Sequence, residues 1–362
     1  MSPKEREIRQ KLKSDFIHYA SRCLKIRTKA GKIEQFELND SQLYIHQRVE
    51  EQRAKTGRVR AIILKGRQQG CSTYVEGRFY WRVSHTRGIQ AFILTHEEDA
   101  TNNLFALANR YHENCPGPVK PSTSAANAKE LHFDKLDSGY KVGTAGNKAV
   151  GRSSTVQLFH GSEVGFWPNA QQHAAGIIQA IPDEPDTEAF LESTANGIGN
   201  YFHQQWQAAE AGLSEYIAIF VPWFWQKEYC KDAPDGFELT EDENKYCDAY
   251  NLSLGQMAWR RSKIIELKDE TLFKQEYPAT AAEAFQVSGL DPYIKPELVM
   301  IARKAIAEEY GPKLLGVDPA RFGDDRTSIC FRQGRKVHWI RSYSKKDTMQ
   351  VAGLVKLAIE EI

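Results

Sequence analysis

The chain has 362 residues, 41% of them hydrophobic and 11% aromatic, which is ample for two packed domains. Lys and Arg number 48 against 47 Asp and Glu, a net charge of +1, so no global field marks a nucleic-acid binder and any contact to a polyanion must come from a local patch. The six cysteines show no CxxC spacing, the first residues (MSPKEREIRQ) lack a signal-like apolar stretch, and the longest apolar run, Tyr216 to Trp225, is broken by Pro222. These features argue against a zinc or disulfide framework and against a membrane partner, and they set the expectation of a soluble protein in a reducing cytoplasm.

In chain order, Ile8, Leu12, Phe16, Ile17, Ala20 and Leu24 recur at helical spacing and predict one amphipathic helix within residues 1–30. Val59 to Leu64 predicts a buried strand, Cys71 to Val83 a helix, Ile89 to Leu94 a strand and Asn102 to Tyr111 a helix. Two further short apolar strands are expected at Val156 to Phe159 and Ala189 to Leu191. Strands alternating with helices imply a mostly parallel sheet flanked by helices, an α/β fold. From Asp232 to Glu283 the composition turns polar and helical, as in a small lid or linker. Gly289, Pro292 and Pro296 then break the pattern. Strands are expected at Lys313 to Val317, Thr327 to Arg332 and Lys336 to Tyr343, followed by a helix from Thr348 to Ile362. The expected divisions are 1–230, 231–289 and 290–362.

Between the first strand and its helix lies Lys65-Gly66-Arg67-Gln68-Gln69-Gly70-Cys71-Ser72-Thr73. Strand, glycine-bearing loop and helix N-terminus together make a phosphate cradle, because backbone N–H groups converge on an anion and glycine allows close approach. The common GxxxxGK[ST] pattern is not met: Cys71 stands where lysine is usual, and the first glycine is one residue too near. The cation must then come from Lys65 or from Arg67, and Ser72 would offer its hydroxyl to Mg²⁺. The competing reading of this stretch is an ordinary strand-to-helix turn with surface charge. Further on, Val156 to Phe159 runs into His160-Gly161-Ser162-Glu163, an apolar strand ending in a carboxylate. Glu163 can polarise a water for attack on a γ-phosphate, with a solvated loop glutamate as the alternative, while Ser162 occupies the place of a Mg²⁺-orienting aspartate. Leu191-Glu192-Ser193-Thr194-Ala195-Asn196-Gly197 ends a later strand with small polar groups, where an open α/β sheet gathers its ligand contacts.

Together these segments resemble the large terminase subunit of tailed bacteriophages. KGRQQGCST resembles that family's phosphate loop in the variant whose lysine moves to the loop's start, GRSSTVQLFHGSEVGFW the segment leading into its second ATPase motif, and STANG its coupling motif. Glu276 to Phe285 resembles the stretch that closes the ATPase region, and Gly316-Val317-Asp318-Pro319-Ala320 with Asp324-Asp325-Arg326-Thr327-Ser328 the opening of its RNase H-like nuclease.

The resemblance implies a P-loop ATPase of the ASCE or RecA-like kind with a helical lid, followed by the start of an RNase H-like domain. ATP and Mg²⁺ are the implied cofactors, with Mg²⁺ or Mn²⁺ for the nuclease. The implied activity is ATP-driven movement of double-stranded DNA into a procapsid, by a homo-oligomeric ring on a portal protein with a small terminase subunit, in the cytoplasm of the host bacterium. Gln42 matches the glutamine that reads adenine, with a plain place in the helix-cap region of Asp40 and Ser41 as the alternative. Arg152 matches an arginine that reaches a neighbouring subunit's nucleotide, with a structural Arg–carboxylate pair as the alternative. Ser193, Thr194 and Asn196 match the residues that relay loss of the γ-phosphate. Asp318 fits a first nuclease metal ligand, and Asp325 or Asp324 a weaker one. Because this family draws further carboxylates from later strands, the nuclease is expected to be partial and the chain alone to cut no DNA. Two other readings stay open: a non-catalytic scaffold or prophage remnant that keeps the fold, and a helicase-like NTPase, disfavoured by the GVDPA strand.

Overall fold

The structure is a computed structural model that describes residues 2–126, 129–145, 155–285, 298, 301–302, 305–320, 326–344 and 346–362. It divides into two compact units, 1–296 and 297–362.

The first unit opens with α1 (Pro3–Ser14) and α2 (Phe16–Cys23) in place of the single helix that the spacing predicts. Asp15 is the reason. Its backbone leaves helical geometry at φ −125°, its N–H closes α1 on the Lys11 carbonyl, and its side chain accepts from the His18 N–H to cap α2. A short antiparallel pair follows, β1 (Lys25–Arg27) with β2 (Ile33–Gln35). Next comes α3 (Asp40–Thr56), whose N-terminus is a capping box between Asn39 and Gln42.

The central elements then arrive in alternation: β3 (Val59–Lys65), α4 (Cys71–His85), β4 (Gln90–Thr95) and α5 (Glu98–Asn114). After them come β5 (Ala125–Ala126), β6 (Glu130–Phe133), β7 (Ser138–Thr144), β8 (Leu158–Ser162), α6 (Ala170–Ile178), β9 (Glu188–Ser193), α7 (Tyr201–Glu210) and β10 (Ile217–Val221). The strands build one sheet in the order β10-β3-β9-β8-β4-β7-β6-β5. Every neighbouring pair from β10 to β7 is parallel, and the β7-β6-β5 edge is antiparallel.

Parallel strands covered on both faces must be apolar on both, and β3 is buried along its whole length. Its side chains alternate between two cores. Ala61 and Ile63 pack in the core that holds Phe79 and Val83 of α4, whereas Ile62 and Leu64 join the core of Phe202 and Trp206 from α7. Beneath the α4 face, the buried Arg78 guanidinium grips Glu188 of β9 through Nε at 2.7 Å and Nη2 at 3.0 Å. That bidentate pair pins α4 to the sheet.

The unit closes with α8 (Glu241–Tyr250), α9 (Leu254–Leu267), α10 (Glu270–Glu276) and α11 (Ala281–Ala284). Their core is aromatic: Trp223 stacks on Trp259 with centroids 5.3 Å apart, and Tyr229 stacks on Trp259 at 4.3 Å. The second unit is an antiparallel sheet of β11 (Lys313–Asp318), β12 (Arg326–Gln333) and β13 (Lys336–Ser344), followed by α12 (Thr348–Glu361). No helix among the described residues is long and apolar enough to cross a membrane.

Candidate functional site

Strands β3, β9 and β8 are adjacent and parallel, so their carboxyl ends open at one edge of the sheet. Lys65 ends β3, Ser193 ends β9 and Ser162 ends β8. The loop 66–70 leaves β3 here and delivers the N-terminus of α4. Gly70 is its N-cap, in left-handed geometry at φ +78°, and no side chain caps the helix. A 15-residue helix therefore presents its first N–H groups and its positive dipole end to whatever lies above the loop. Glycine is demanded at position 70 twice over, since a Cβ there would also sit 2.7 Å from the Gln42 amide nitrogen.

The side chains converge as follows. The Lys65 ammonium, 7% exposed, donates to Glu163 Oε1 at 3.0 Å and lies 3.8 Å from Glu192 Oε2. Glu192 is fully buried. Its Oε1 accepts from the hydroxyl of Ser72, from the hydroxyl of Ser162 at 3.0 Å and from His160 Nε2 at 3.1 Å. The other ring nitrogen of His160 meets Glu76 Oε1 at 2.6 Å, which carries the network down into α4. Glu163 itself sits at φ +53°, a conformation that non-glycine residues seldom take and that recurs at functional sites. Its Oε2 accepts from the Ser193 hydroxyl at 3.4 Å, and Ser193 Oγ in turn accepts the Gly165 N–H at 3.1 Å. Asn196 Nδ2 donates to the Gly165 carbonyl at 2.9 Å. Residue 165 must be small, because a Cβ would lie 3.0 Å from Ser193 Oγ and 3.2 Å from the Thr194 carbonyl.

The electrostatics follow from burial and pairing. Burial opposes charge on Lys65, but Glu163 and Glu192 outweigh it and raise the ammonium's pKa, so the amine stays protonated. Burial likewise works against ionised Glu192, yet Lys65, His160 and Ser72 bring that carboxyl down to about 2. Burial would lower His160, and its hydrogen bonds to Glu192 and Glu76 instead carry it up to about 9, an imidazolium held between two carboxylates. The Cys71 thiol is pushed up by burial and stays neutral, so it offers no charge in the usual lysine position.

The structure thus gathers Lys65, Ser72, Glu163 and Ser193 within one cluster of hydrogen bonds and ion pairs, with Asn196 and the buried Thr194 on the adjoining segment. Arg67 is elsewhere. Its side chain pairs with Glu276, its N–H donates to the Glu276 carbonyl at 2.9 Å, and its own carbonyl accepts from the Tyr229 hydroxyl at 2.7 Å. Of the two cations the sequence leaves open, Lys65 is the one beside the carboxylates. Gln69 is buried and braces the loop, accepting from Ser41 Oγ at 3.2 Å and donating to the Pro222 and Trp223 carbonyls. Gln68 takes a positive φ of 53°, Gly66 N–H donates to the Val221 carbonyl at 3.2 Å, and the Thr73 carbonyl accepts from Tyr111 at 3.0 Å. Gln42 spends its amide on the loop and on the helix start: Nε2 donates to the Gly70 carbonyl at 2.7 Å, and Oε1 accepts the Asn39 N–H at 2.9 Å. Asn39, rather than Asp40 or Ser41, is the N-cap. Arg152, Asp324 and Asp325 lie outside the described residues. Asp318 ends β11 in the second unit, exposed, and no group of three or more His, Cys, Asp or Glu able to hold a metal is found among the described residues.

Sequence reasoning missed Glu192, His160 and Glu76. The signal was present: charged and ionisable residues inside strands and a helix that are otherwise buried on every side.

This fold has a solved counterpart. The HK97 bacteriophage large terminase superposes with a TM-score of 0.55 over 95% of this chain and 70% of that one, at 14% identity. The chain has the large-terminase fold. The large terminase ATPase domain of Thermus phage P74-26 matches at TM-score 0.48 and 16% identity over 67% of this chain and 94% of its own. A large terminase from a thermophilic bacteriophage matches at TM-score 0.46 and 8% identity over 90% of this chain and 75% of its own. No family model and no curated protein matches the sequence. The cluster around Lys65 lies beyond the carboxyl ends of parallel strands, the place where open α/β sheets gather ligand contacts.

Proposed function

We propose that the first unit binds and hydrolyses ATP, and that the chain uses the energy to move double-stranded viral DNA into a procapsid. The observation that carries the proposal is the Lys65–Glu163 pair, 3.0 Å apart at the sheet edge, beside the uncapped N-terminus of α4. One cation, one partly exposed carboxylate and a set of converging amides are what phosphoryl transfer to water requires.

The roles divide by chemistry. Amides of residues 66–73 cradle the β- and γ-phosphates, and Lys65 neutralises them. Glu163 is 27% exposed and is the partner that can leave Lys65 for water when phosphate oxygens compete for the ammonium. Once released, it accepts a hydrogen bond from the attacking water and orients it. Ser193, which touches both Glu163 and the Gly165 backbone, registers that movement, and Asn196 passes it to the segment that follows β9. Ser72 also suits Mg²⁺, since its hydroxyl is a hard oxygen donor of the kind this ion prefers. When bound, Mg²⁺ neutralises charge building on the β- and γ-oxygens. Gln42 reads the base only if nucleotide takes over its bond to Gly70, and Arg152 is proposed as the residue that reaches a neighbouring subunit.

On this reading the working form is a homo-oligomeric ring around DNA, docked on a portal protein and served by a small subunit. ATP turnover, measured with and without double-stranded DNA, tests the proposal on the parent, Lys65→Ala and Glu163→Gln. Turnover by the parent and its loss in both variants support it. A parent that binds no ATP, or that turns it over equally well without Lys65, refutes it and leaves the scaffold.

A further inference from the structure

The sheet edge contains one carboxylate that the proposed hydrolysis leaves without a task. Glu192 lies beside Ser162 in register, on neighbouring parallel strands. Parallel neighbours direct their side chains to the same face, here the α4 face, so a carboxylate on β9 reaches the space that an aspartate at 162 would fill. Its two oxygens are used unequally. Oε1 is saturated by Ser72, Ser162 and His160, whereas Oε2 is buried with no hydrogen-bond partner, and its nearest cation is Lys65 at 3.8 Å.

We propose that Glu192 is the metal-positioning carboxylate of this ATPase, a function transferred from β8 to β9, with His160 and Glu76 as the buried prop that orients it. Resting on the ATPase reading, the assignment gives Oε2 a partner in the hydration shell of a Mg²⁺ held by Ser72, and it gives Ser162 a purpose, as donor to the carboxylate that replaces it. His160 is a positioning residue. It bridges Glu192 to Glu76 of α4, so the carboxylate and the helix that carries Ser72 keep a fixed relation.

The test is binding of ATPγS by calorimetry in Mg²⁺ and in EDTA, which reads the metal's contribution without turnover. In the parent, Mg²⁺ tightens binding. Glu192→Gln keeps the side chain's shape and is expected to lower that Mg²⁺-dependent gain by about tenfold or more, while affinity in EDTA does not fall, since the change removes a negative charge near the phosphates. Adding Ser162→Asp to Glu192→Gln restores the gain, because it returns a carboxylate to the same space. Should Glu192→Gln fail to fold, Glu192→Asp keeps the charge and retracts it from Ser72 by one methylene, and a clear fall in the gain is expected there. A gain that survives unchanged in the folded Glu192 variant overturns the proposal. A parent that binds no ATPγS in either condition overturns the ATPase reading itself, a separate outcome.

Discussion

Lys65→Met removes one charge from the middle of the site and keeps most of its volume, so its cost is almost wholly electrostatic. The ammonium lies 3.0 Å from Glu163 and 3.8 Å from Glu192, and at an effective dielectric of about 20 such pairs interact by roughly 4–6 kcal/mol each. Burying the ammonium offsets several kcal/mol of this. Glu163 can also turn to solvent when its partner goes, and Glu192, wholly buried, cannot. The expected loss is therefore that of a buried pair broken on one side, about 3–5 kcal/mol at neutral pH, read as a fall in the urea midpoint of unfolding.

The pH dependence gives the sharper test. In the parent, Glu192 is depressed to about 2. Its stabilisation is fully present above the ordinary glutamate value of about 4.3 and is lost as pH falls through the depressed one. Without Lys65 the folded value rises, although His160, Ser72 and Ser162 still hold the carboxylate, so the variant is penalised wherever Glu192 must stay ionised without the ammonium. The gap between parent and variant is thus widest at neutral pH and narrows as pH falls toward 4. A gap under about 1 kcal/mol at pH 7.5, or one that widens toward acid, refutes the electrostatic account of this site.

Glu163→Gln should bind ATPγS with near-parental affinity and lose about 10²–10⁴-fold in turnover, the usual weight of a general base; unchanged turnover would remove Glu163 from the chemistry. Gly70→Ala forces a Cβ into left-handed backbone at φ +78° and to within 2.7 Å of the Gln42 amide, so about 1–3 kcal/mol of stability and most nucleotide affinity should go, as thermal melts and calorimetry would record. Arg78→Met leaves buried Glu188 without its bidentate partner and with Arg82, 3.7 Å away, as its remaining ion-pair cation, away from the phosphate loop. About 3–5 kcal/mol of stability should be lost, most of it above the ordinary carboxylate pKa because Arg78 depresses Glu188 against the effect of burial, and ATPγS affinity in the folded fraction should hold.

The parallel sheet was legible where the chain writes it locally. Val59 to Leu64, Ile89 to Leu94 and Ala189 to Leu191 are mainly apolar runs, the first two crossed only by Arg60 and Gln90, and each lies inside or within a residue of an observed strand. β7 escaped notice because Ser138, Gly139, Lys141 and Gly143 interrupt it, and its strand form comes from pairing with β4 rather than from composition. β10 lay within the longest apolar run, Tyr216 to Trp225, and was weighed there only as a membrane span. The phosphate loop was legible for the same local reason. Nine consecutive residues carry strand end, turn and helix start. The carboxylate network was not, because its members are distant in sequence: Glu76 meets His160 across 84 positions, and His160 meets Glu192 across 32.

That distance changes how the two departures in the motifs should be weighed. Along the sequence, Cys71 and Ser162 look like losses, and they are the whole case for a degenerate scaffold. In space, a lysine stands at the head of the loop and a carboxylate on the next strand meets both Ser72 and Ser162. Charge at this edge is expensive. Lys65, His160, Glu76 and Glu192 are all buried, and apolar residues of similar volume in such positions are commonly as stable or more so. A scaffold has no use for a protonated imidazole locked between two carboxylates, nor for a carboxylate oxygen buried without a hydrogen-bond partner. On the ATPase reading both have a use, since the imidazole holds Glu192 in place and the unsatisfied oxygen would gain its partner from metal and nucleotide, so that stability forgone in folding returns as binding.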